Sequence, residues 1–310
     1  MKVVSLFSGI GGLDKGFEDA GYNVIWANDF DKFAVETYKA NFNTDIVLGD
    51  INNIPFDEIP ECDVLIGGFP CQAFSMMGEQ LGFEDARGTL FFRIAEIIKA
   101  KIENGNKPKA IVLENVRALK THDKGRTFKT IERILTDELG YKVYASVLNS
   151  ADYGVPQTRN RTYIVCFANE CAEFTYPQKQ ELKYTLQDEL EQDVDDRYFL
   201  SERILPTILS NGTGGYKAKS EIDLKIARPL CATMAKMHRA CQDNYVTQNN
   251  RVRRLTPREC ARLQGFSDDF IIPVSDSQAY KQFGNAVTVN VSRAVAESVK
   301  QTLIDLGEWK

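Results

Sequence analysis

The sequence predicts an α/β fold, a doubly wound and mostly parallel sheet accompanied by a smaller irregular domain. Three observations carry this. Short apolar runs alternate with longer amphipathic stretches, a glycine-rich turn follows the first run, and the alternation collapses after Pro177. At 310 residues the chain exceeds the roughly 100–200 residues of an ordinary single domain, so a large and a small domain are expected.

The apolar runs at 3–6, 23–27, 46–48, 63–66, 110–113, 143–148 and 162–167 are short enough for buried strands. The amphipathic stretches at 12–21, 31–41, 88–102 and 125–139 supply the intervening helices. Beyond Pro177 comes an acidic, polar segment (187–197), then Asn211-Gly212-Thr213-Gly214-Gly215, then irregular sequence to Asn250. Regular structure resumes at Leu255, with Thr256 as a helix N-cap, Pro257 at the first helical position and Glu259 three residues after the cap. A long amphipathic helix, 287–306, closes the chain. The expected domains are therefore 1–172 plus 253–310 for the large one and 173–252 for the small one.

Ligands of such sheets bind beyond the carboxyl ends of the strands. Phe7-Ser8-Gly9-Ile10-Gly11-Gly12 follows the first strand, Asn28-Asp29-Phe30 ends the second and Gly49-Asp50-Ile51 the third. Glycines at 9, 11 and 12 let the backbone approach a ligand, Asp29 suits a ribose hydroxyl, Phe30 an adenine face and Asp50 an adenine amino group. Such a loop also suits a nicotinamide dinucleotide, and each Asp could simply cap the next helix. The Gly-x-Gly-Gly spacing departs from the dinucleotide pattern, and no basic residue lies nearby before Lys15.

After the fourth strand stands Gly68-Phe69-Pro70-Cys71-Gln72-Ala73-Phe74-Ser75, and the fifth ends at Glu114-Asn115-Val116. A thiol and a carboxyl at neighbouring strand ends would face one crevice. Gln157-Thr158-Arg159-Asn160-Arg161 precedes the last strand, and two arginines two residues apart would lie on one side of an extended segment.

Together these motifs closely resemble those of the cytosine carbon-5 DNA methyltransferase family, over nearly the whole chain. The resemblance implies S-adenosyl-L-methionine as cofactor and S-adenosyl-L-homocysteine as product, held by Phe7, Gly9, Ile10, Gly11, Gly12, Asp29, Phe30, Asp50, Ile51, Pro70, Leu90, Asn285 and Ala286. It implies Cys71 as the nucleophile at cytosine carbon 6 and Glu114 at ring nitrogen 3, with a carboxyl raised by burial. Arg161 is expected at the base oxygen and Arg159 at a phosphate. Residues 76–88 resemble the catalytic loop that closes on flipped DNA. The last helix is expected to fold back onto the first domain.

The net charge of −5 argues at first against a polyanionic partner, but residues 203–262 hold 12 Lys+Arg against 4 Asp+Glu, a local +8. The remainder holds 26 against 39, or −13. Segregation of this kind can build a basic face on an acidic protein, though a charge-rich solvated surface would read the same way. Ser75, Met77, Tyr216, Arg228, Thr233, Lys236, Arg239 and Arg254 are the expected DNA contacts, with Arg251 and Arg253 further candidates. Tyr216 and Met77 are expected to fill the gap left by the flipped base.

The partner is then double-stranded DNA, with a restriction endonuclease of the same site as a possible companion. Seven cysteines without a CxxC pair, and no apolar run of about 18 residues, predict a reduced, soluble, cytoplasmic protein without a metal site or membrane segment; a monomer is expected. Two alternatives remain open: a tRNA cytosine methyltransferase on the same scaffold, whose relatives carry Cys-Phe-Thr where this chain has Cys166-Phe167-Ala168, and a catalytically silent DNA-binding module. The recognised DNA sequence is not written in the chain.

Overall fold

The computed structural model describes residues 1–70, 90–213 and 216–309, with backbone alone at 212, 213, 216 and 217. Two compact units result. The first comprises Met1–Leu148, Asn160–Gln178 and Val291–Lys310, the second Asn149–Arg159 and Lys179–Asn290.

The first unit holds strands β1 (Lys2–Leu6), β2 (Asn23–Asp29), β3 (Ile46–Leu48), β4 (Val64–Gly68), β5 (Ala110–Val116), β6 (Lys142–Asn149) and β7 (Asn160–Phe167). They form one sheet in the order β3-β2-β1-β4-β5-β7-β6. β3, β2, β1, β4 and β5 run parallel, while β7 pairs antiparallel with β5. From β1 the chain builds outward to β2 and β3, then returns to place β4 on β1's other side. That reversal opens a crevice at the carboxyl ends of β1 and β4.

Helices cover both faces. Val4 and Leu6 of β1 and Leu65 of β4 join one apolar cluster with Phe91, Ile94, Ala95 and Ile98 of α3 (Leu90–Glu103) and with Ile131 of α4 (Arg126–Arg133). Strand side chains alternate, so Ser5 points the other way, and there it meets Asp14 of α1 (Gly12–Asp19). α2 spans Lys32–Asn41. The last helix, α8 (Val289–Asp305), returns to α1: Ser292 Oγ donates to the Leu13 carbonyl at 2.7 Å, and a Cβ on Gly16 would lie 2.4 Å from Ser292. The expected return of the carboxyl-terminal helix is thus found.

The second unit is built from short elements. These are α5 (Leu205–Ile208), β8 (Gly212–Thr213), β9 (Tyr216–Lys217), β10 (Tyr245–Gln248), β11 (Arg251–Arg254), α6 (Pro257–Arg262) and α7 (Asp276–Asn285). β10 and β11 pair antiparallel across Asn249-Asn250, both with positive φ (51° and 59°), the two-residue turn whose twist suits a hairpin. α6 starts with the expected capping box, Thr256 and Glu259 each bonding the other's backbone. Glu259 also takes both ends of the Arg253 guanidinium, at 2.6 and 2.8 Å, with both side chains fully buried.

The compact division departs from the expected boundaries, because residues 149–159 and 253–290 join the second unit. Buried polar bonds explain it. The Arg253–Glu259 pair ties β11 to α6, and Tyr280 of α7 donates to the Leu255 carbonyl at 2.6 Å.

Candidate active site

At the end of β1 the chain enters a left-handed conformation at Phe7 (φ 56°), again at Gly9 (φ 56°) and again at Gly11 (φ 84°). The non-glycine strain at Phe7 is held by its neighbour: Ser8 N donates to the Asn28 carbonyl at 2.9 Å and the Ser8 carbonyl accepts from Gly11 N at 2.8 Å. The glycines differ. A Cβ on Gly11 would lie 2.3 Å from the Phe42 ring, whereas one on Gly9 would meet nothing within 4 Å among the described residues. Gly9 therefore faces open space and Gly11 a packed aromatic. Ile10 is buried.

Asp29 Oδ2 accepts from Gly9 N at 2.8 Å and Oδ1 from Asp31 N at 2.8 Å. The end of β2 is thereby pinned to the loop after β1. Burial pushes the Asp29 carboxyl up, and the backbone amides offset part of this. With the amides of Asp31, Gly9 and Phe30 on it, the carboxylate still has acceptor capacity for one more donor such as a ligand hydroxyl. Phe30 beside it is 70 % exposed, an uncovered aromatic. Asp50 is exposed and caps a 3₁₀ turn through Asn52 N, with Ile51 buried beneath. Pro70 is exposed after β4, and Leu90 opens α3 half-buried.

The parallel register of β4 and β5 pairs Gly68 with Glu114, three residues before Cys71. Asn115 Nδ2 donates to the Phe69 carbonyl at 2.8 Å, fixing the chain just before Pro70. Glu114 is buried, and its Oε1 lies 3.1 Å from Arg161 Nε. Glu114 opposes Tyr163 and Arg161 opposes Val116, so the pair is a diagonal contact across one face of the β5–β7 ladder. Cys71, Ser75, Met77 and the expected catalytic loop at 76–88 lie outside the described residues, as does the side chain of Tyr216.

Arg159 differs from expectation. It is 2 % exposed and donates to the carbonyls of Leu230 (3.2 Å), Gly284 (3.0 Å) and Ala286 (2.8 Å). Its planar fork is spent on backbone within the second unit, so it is a brace and has no guanidinium face to offer a phosphate. Alternation with Arg161 fails because β7 begins only at Asn160. Asn285 ends α7 exposed, and Ala286 follows it as the cap.

Elsewhere in the second unit, Thr233 Oγ1 shares a hydrogen bond with His238 Nε2 at 2.9 Å, and Lys236 is exposed. Arg239 Nε donates to Ser210 Oγ at 2.8 Å, and Arg228 reaches Glu221 at 3.5 Å. Arg254 lies over the rings of Tyr198 and Tyr280. Arg251 pairs with Asp196. Arg253 is fully buried against Glu259, which removes it from the candidates for phosphate or base contact.

Sequence reasoning missed one group. Asp14 is completely buried beneath the glycine-rich loop and accepts from Ser5 Oγ and Tyr38 Oη, each at 2.9 Å. The signal was an acidic residue between Leu13 and Phe17 on the apolar side of α1; in a first helical turn it reads as ordinary complement to the helix dipole. Among the described residues no cluster of three or more His, Cys, Asp or Glu is placed to hold a metal ion, and no helix is long and apolar enough to cross a membrane.

Comparison with known proteins agrees with this geometry. The family profile for C-5 cytosine-specific DNA methylases matches residues 1–301. The chain is 44 % identical to the type II methyltransferase M1.ScrFI of Lactococcus lactis subsp. cremoris, over 97 % of this chain and 78 % of that protein. It is 41 % identical to the type II methyltransferase M.NlaX of Neisseria lactamica, over 100 % and 99 % respectively. In fold it is similar to the solved Entamoeba histolytica methyltransferase EhMeth, with TM-score 0.77, 22 % identity, and coverage of 99 % of this chain and 98 % of that one. The chain belongs to the C-5 cytosine-specific DNA methylase family.

Proposed function

We propose that the protein methylates carbon 5 of cytosine within a short sequence of double-stranded DNA, with S-adenosyl-L-methionine as methyl donor and Cys71 as covalent nucleophile. The observation that carries this reading is the buried Glu114, opposite Gly68 on the strand next to the one that leads into Pro70-Cys71 and paired with the half-buried Arg161 of β7.

The residues after β1, β2 and β3 fit the cofactor. Gly9 leaves open space where a side chain would stand, Asp29 keeps acceptor capacity for ribose hydroxyls, and Phe30 offers a bare ring for an adenine. Phe7, Ile10, Gly11, Gly12, Asp50, Ile51, Pro70, Leu90, Asn285 and Ala286 complete the proposed set. S-adenosyl-L-methionine, when bound, supplies the electrophilic methyl group.

Carbon 5 of cytosine is a weak nucleophile. Addition of the Cys71 thiolate to carbon 6 pushes electron density onto carbon 5 and toward nitrogen 3, where Glu114 is placed to share a proton with the ring. Arg161 orients Glu114 and offers its remaining N–H groups to the base oxygen. After methylation, loss of the carbon 5 proton expels the Cys71 sulfur and restores the ring. A stacked base admits none of this, so the target leaves the duplex, with Met77 and Tyr216 as the proposed gap fillers.

Target reading is assigned to 173–252 and catalysis to 1–172 with 253–310. Ser75, Arg228, Thr233, Lys236, Arg239 and Arg254 are the proposed DNA contacts. A cytoplasmic monomer acting beside an endonuclease of the same site completes the proposal. The family match favours DNA over tRNA, and the intact Cys71, Glu114 and Arg161 argue against a silent module.

Incubating the protein with S-adenosyl-L-methionine carrying a labelled methyl group and with duplex DNA, then digesting to nucleosides, tests the reading. Label in 5-methyldeoxycytidine is expected. Label in tRNA alone, or in no nucleic acid, would overturn it.

A further inference from the structure

Ser8 is the fixed point of the glycine-rich loop, set between two left-handed residues, Phe7 and Gly9. Besides its two backbone bonds, its Oγ lies 2.9 Å from Ser5 Oγ and 3.3 Å from the Ser5 carbonyl. Ser5 Oγ is in turn 2.9 Å from Asp14 Oδ2, and Tyr38 Oη is 2.9 Å from Asp14 Oδ1. A chain of hydroxyls thus runs from the buried Ser8 of the loop to a fully buried carboxyl.

The direction of that chain follows from chemistry. Ser5 Oγ and Tyr38 Oη both donate to Asp14, and the Ser5 oxygen is left to accept from Ser8 Oγ. Burying a carboxylate is costly, and an apolar residue would pack α1 against β1 more cheaply. Burial pushes the Asp14 carboxyl up to about 7, Glu18 on the same helix adds repulsion, and the two hydroxyls hold it down. A costly group at the root of a ligand loop invites a functional reason.

We propose that Asp14 is a positioning residue for the cofactor loop, acting through Ser5 to hold Ser8, and with it the strained backbone at Phe7 and Gly9, in the conformation that receives S-adenosyl-L-methionine. This rests on the reading of Phe7 to Gly12 as the cofactor loop. The relay touches no reacting atom. Its effect is on cofactor affinity, with DNA affinity left alone.

The test uses the full chain with Asp14→Asn, Ser8→Ala and the double substitution. S-adenosyl-L-homocysteine affinity is measured by calorimetry, DNA affinity by fluorescence polarisation and folding by thermal melting. Each single change should weaken S-adenosyl-L-homocysteine roughly five-fold, the worth of about one hydrogen bond. The double variant should be no more than about two-fold worse than the weaker single, because both cuts fall on one connection. Should Asp14→Asn fail to fold, Ser5→Ala replaces it; that change cuts the relay at its centre and leaves Tyr38 bonded to Asp14. Single variants that bind like the parent, or losses that multiply in the double variant, would overturn the relay. A parent protein that binds no S-adenosyl-L-homocysteine would instead overturn the cofactor reading itself.

Discussion

The two loop glycines make opposite demands, and alanine at each separates folding from cofactor binding. At Gly11 the added methyl would stand 2.3 Å from the Phe42 ring, and that ring cannot swing away cheaply. Phe42 is 8 % exposed and stacked on Tyr38 with centroids 4.4 Å apart, and Tyr38 is itself bonded to Asp14. A left-handed alanine costs about 1–2 kcal/mol. Overpacking adds about 1–3 kcal/mol, so Gly11→Ala should destabilise by about 2–5 kcal/mol. At roughly 2 °C per kcal/mol for a chain of this size, the melting temperature falls by roughly 4–10 °C. At Gly9 only the backbone cost applies, about 1–2 kcal/mol and roughly 2–4 °C. Its methyl instead enters the space proposed for the cofactor, and S-adenosyl-L-homocysteine binding should weaken at least about ten-fold, or about 1.4 kcal/mol. Melting curves with and without ligand, together with calorimetry, read both effects. A Gly9→Ala protein that binds as the parent does, or that loses as much stability as Gly11→Ala, would refute the reasoning.

Glu114→Gln keeps the shape of the side chain and removes the titratable proton, so turnover should fall roughly 10²–10⁴-fold while DNA affinity persists; single-turnover methylation measures it. Arg159→Met leaves three buried carbonyls without their donor and should cost at least about 3 kcal/mol in chemical denaturation, with the salt dependence of DNA binding unchanged. Asp14 should make stability depend on pH. Its folded value of about 7 lies above the ordinary 3.8, so the folded state holds the proton more tightly, and this contribution is lost as pH rises from about 4 through about 7. The loss is on the order of 4 kcal/mol, and Asp14→Asn should remove it, as denaturation midpoints at pH 4 and pH 8 would show. Glu18, also raised by burial, and Tyr38, raised by burial and by Asp14, are the other titratable groups around that carboxyl, so Glu18→Gln serves as the control. Neutralising Arg228 and Arg239 together should flatten the plot of log affinity against log salt, each phosphate contact contributing about 0.9 to its slope.

All seven strands of the sheet were legible because each writes itself as a short apolar run, even the half-buried edge strand β6. Their pairing was less so. The antiparallel placement of β7 leaves no mark in its composition, and β5 continues through Asn115 and Val116 because these residues find partners in Thr162 and Arg161. The loops after β1, β2 and β3, where the cofactor is proposed to bind, are marked in the sequence by glycine and aspartate at strand ends. Arginine was the residue most easily misread: Arg159, Arg161 and Arg253 look alike in sequence, yet one caps carbonyls, one pairs with Glu114 and one is sealed against Glu259. Burial separates them, and burial of a long cation depends on carbonyls and carboxylates that sit from a few to more than a hundred residues away. Asp14 escaped for the same reason, since its donors Ser5 and Tyr38 come from two other elements.

The central claim is that Cys71 forms a covalent bond to the target cytosine, and trapping on DNA that contains 5-fluorocytosine tests it most directly. Fluorine at carbon 5 blocks the final elimination, so the parent protein with S-adenosyl-L-methionine should give a denaturation-resistant complex. Digestion and mass spectrometry should place the modified nucleotide on the peptide that carries Cys71. An adduct mapped to another residue, or an adduct that persists in Cys71→Ala, would contradict the account.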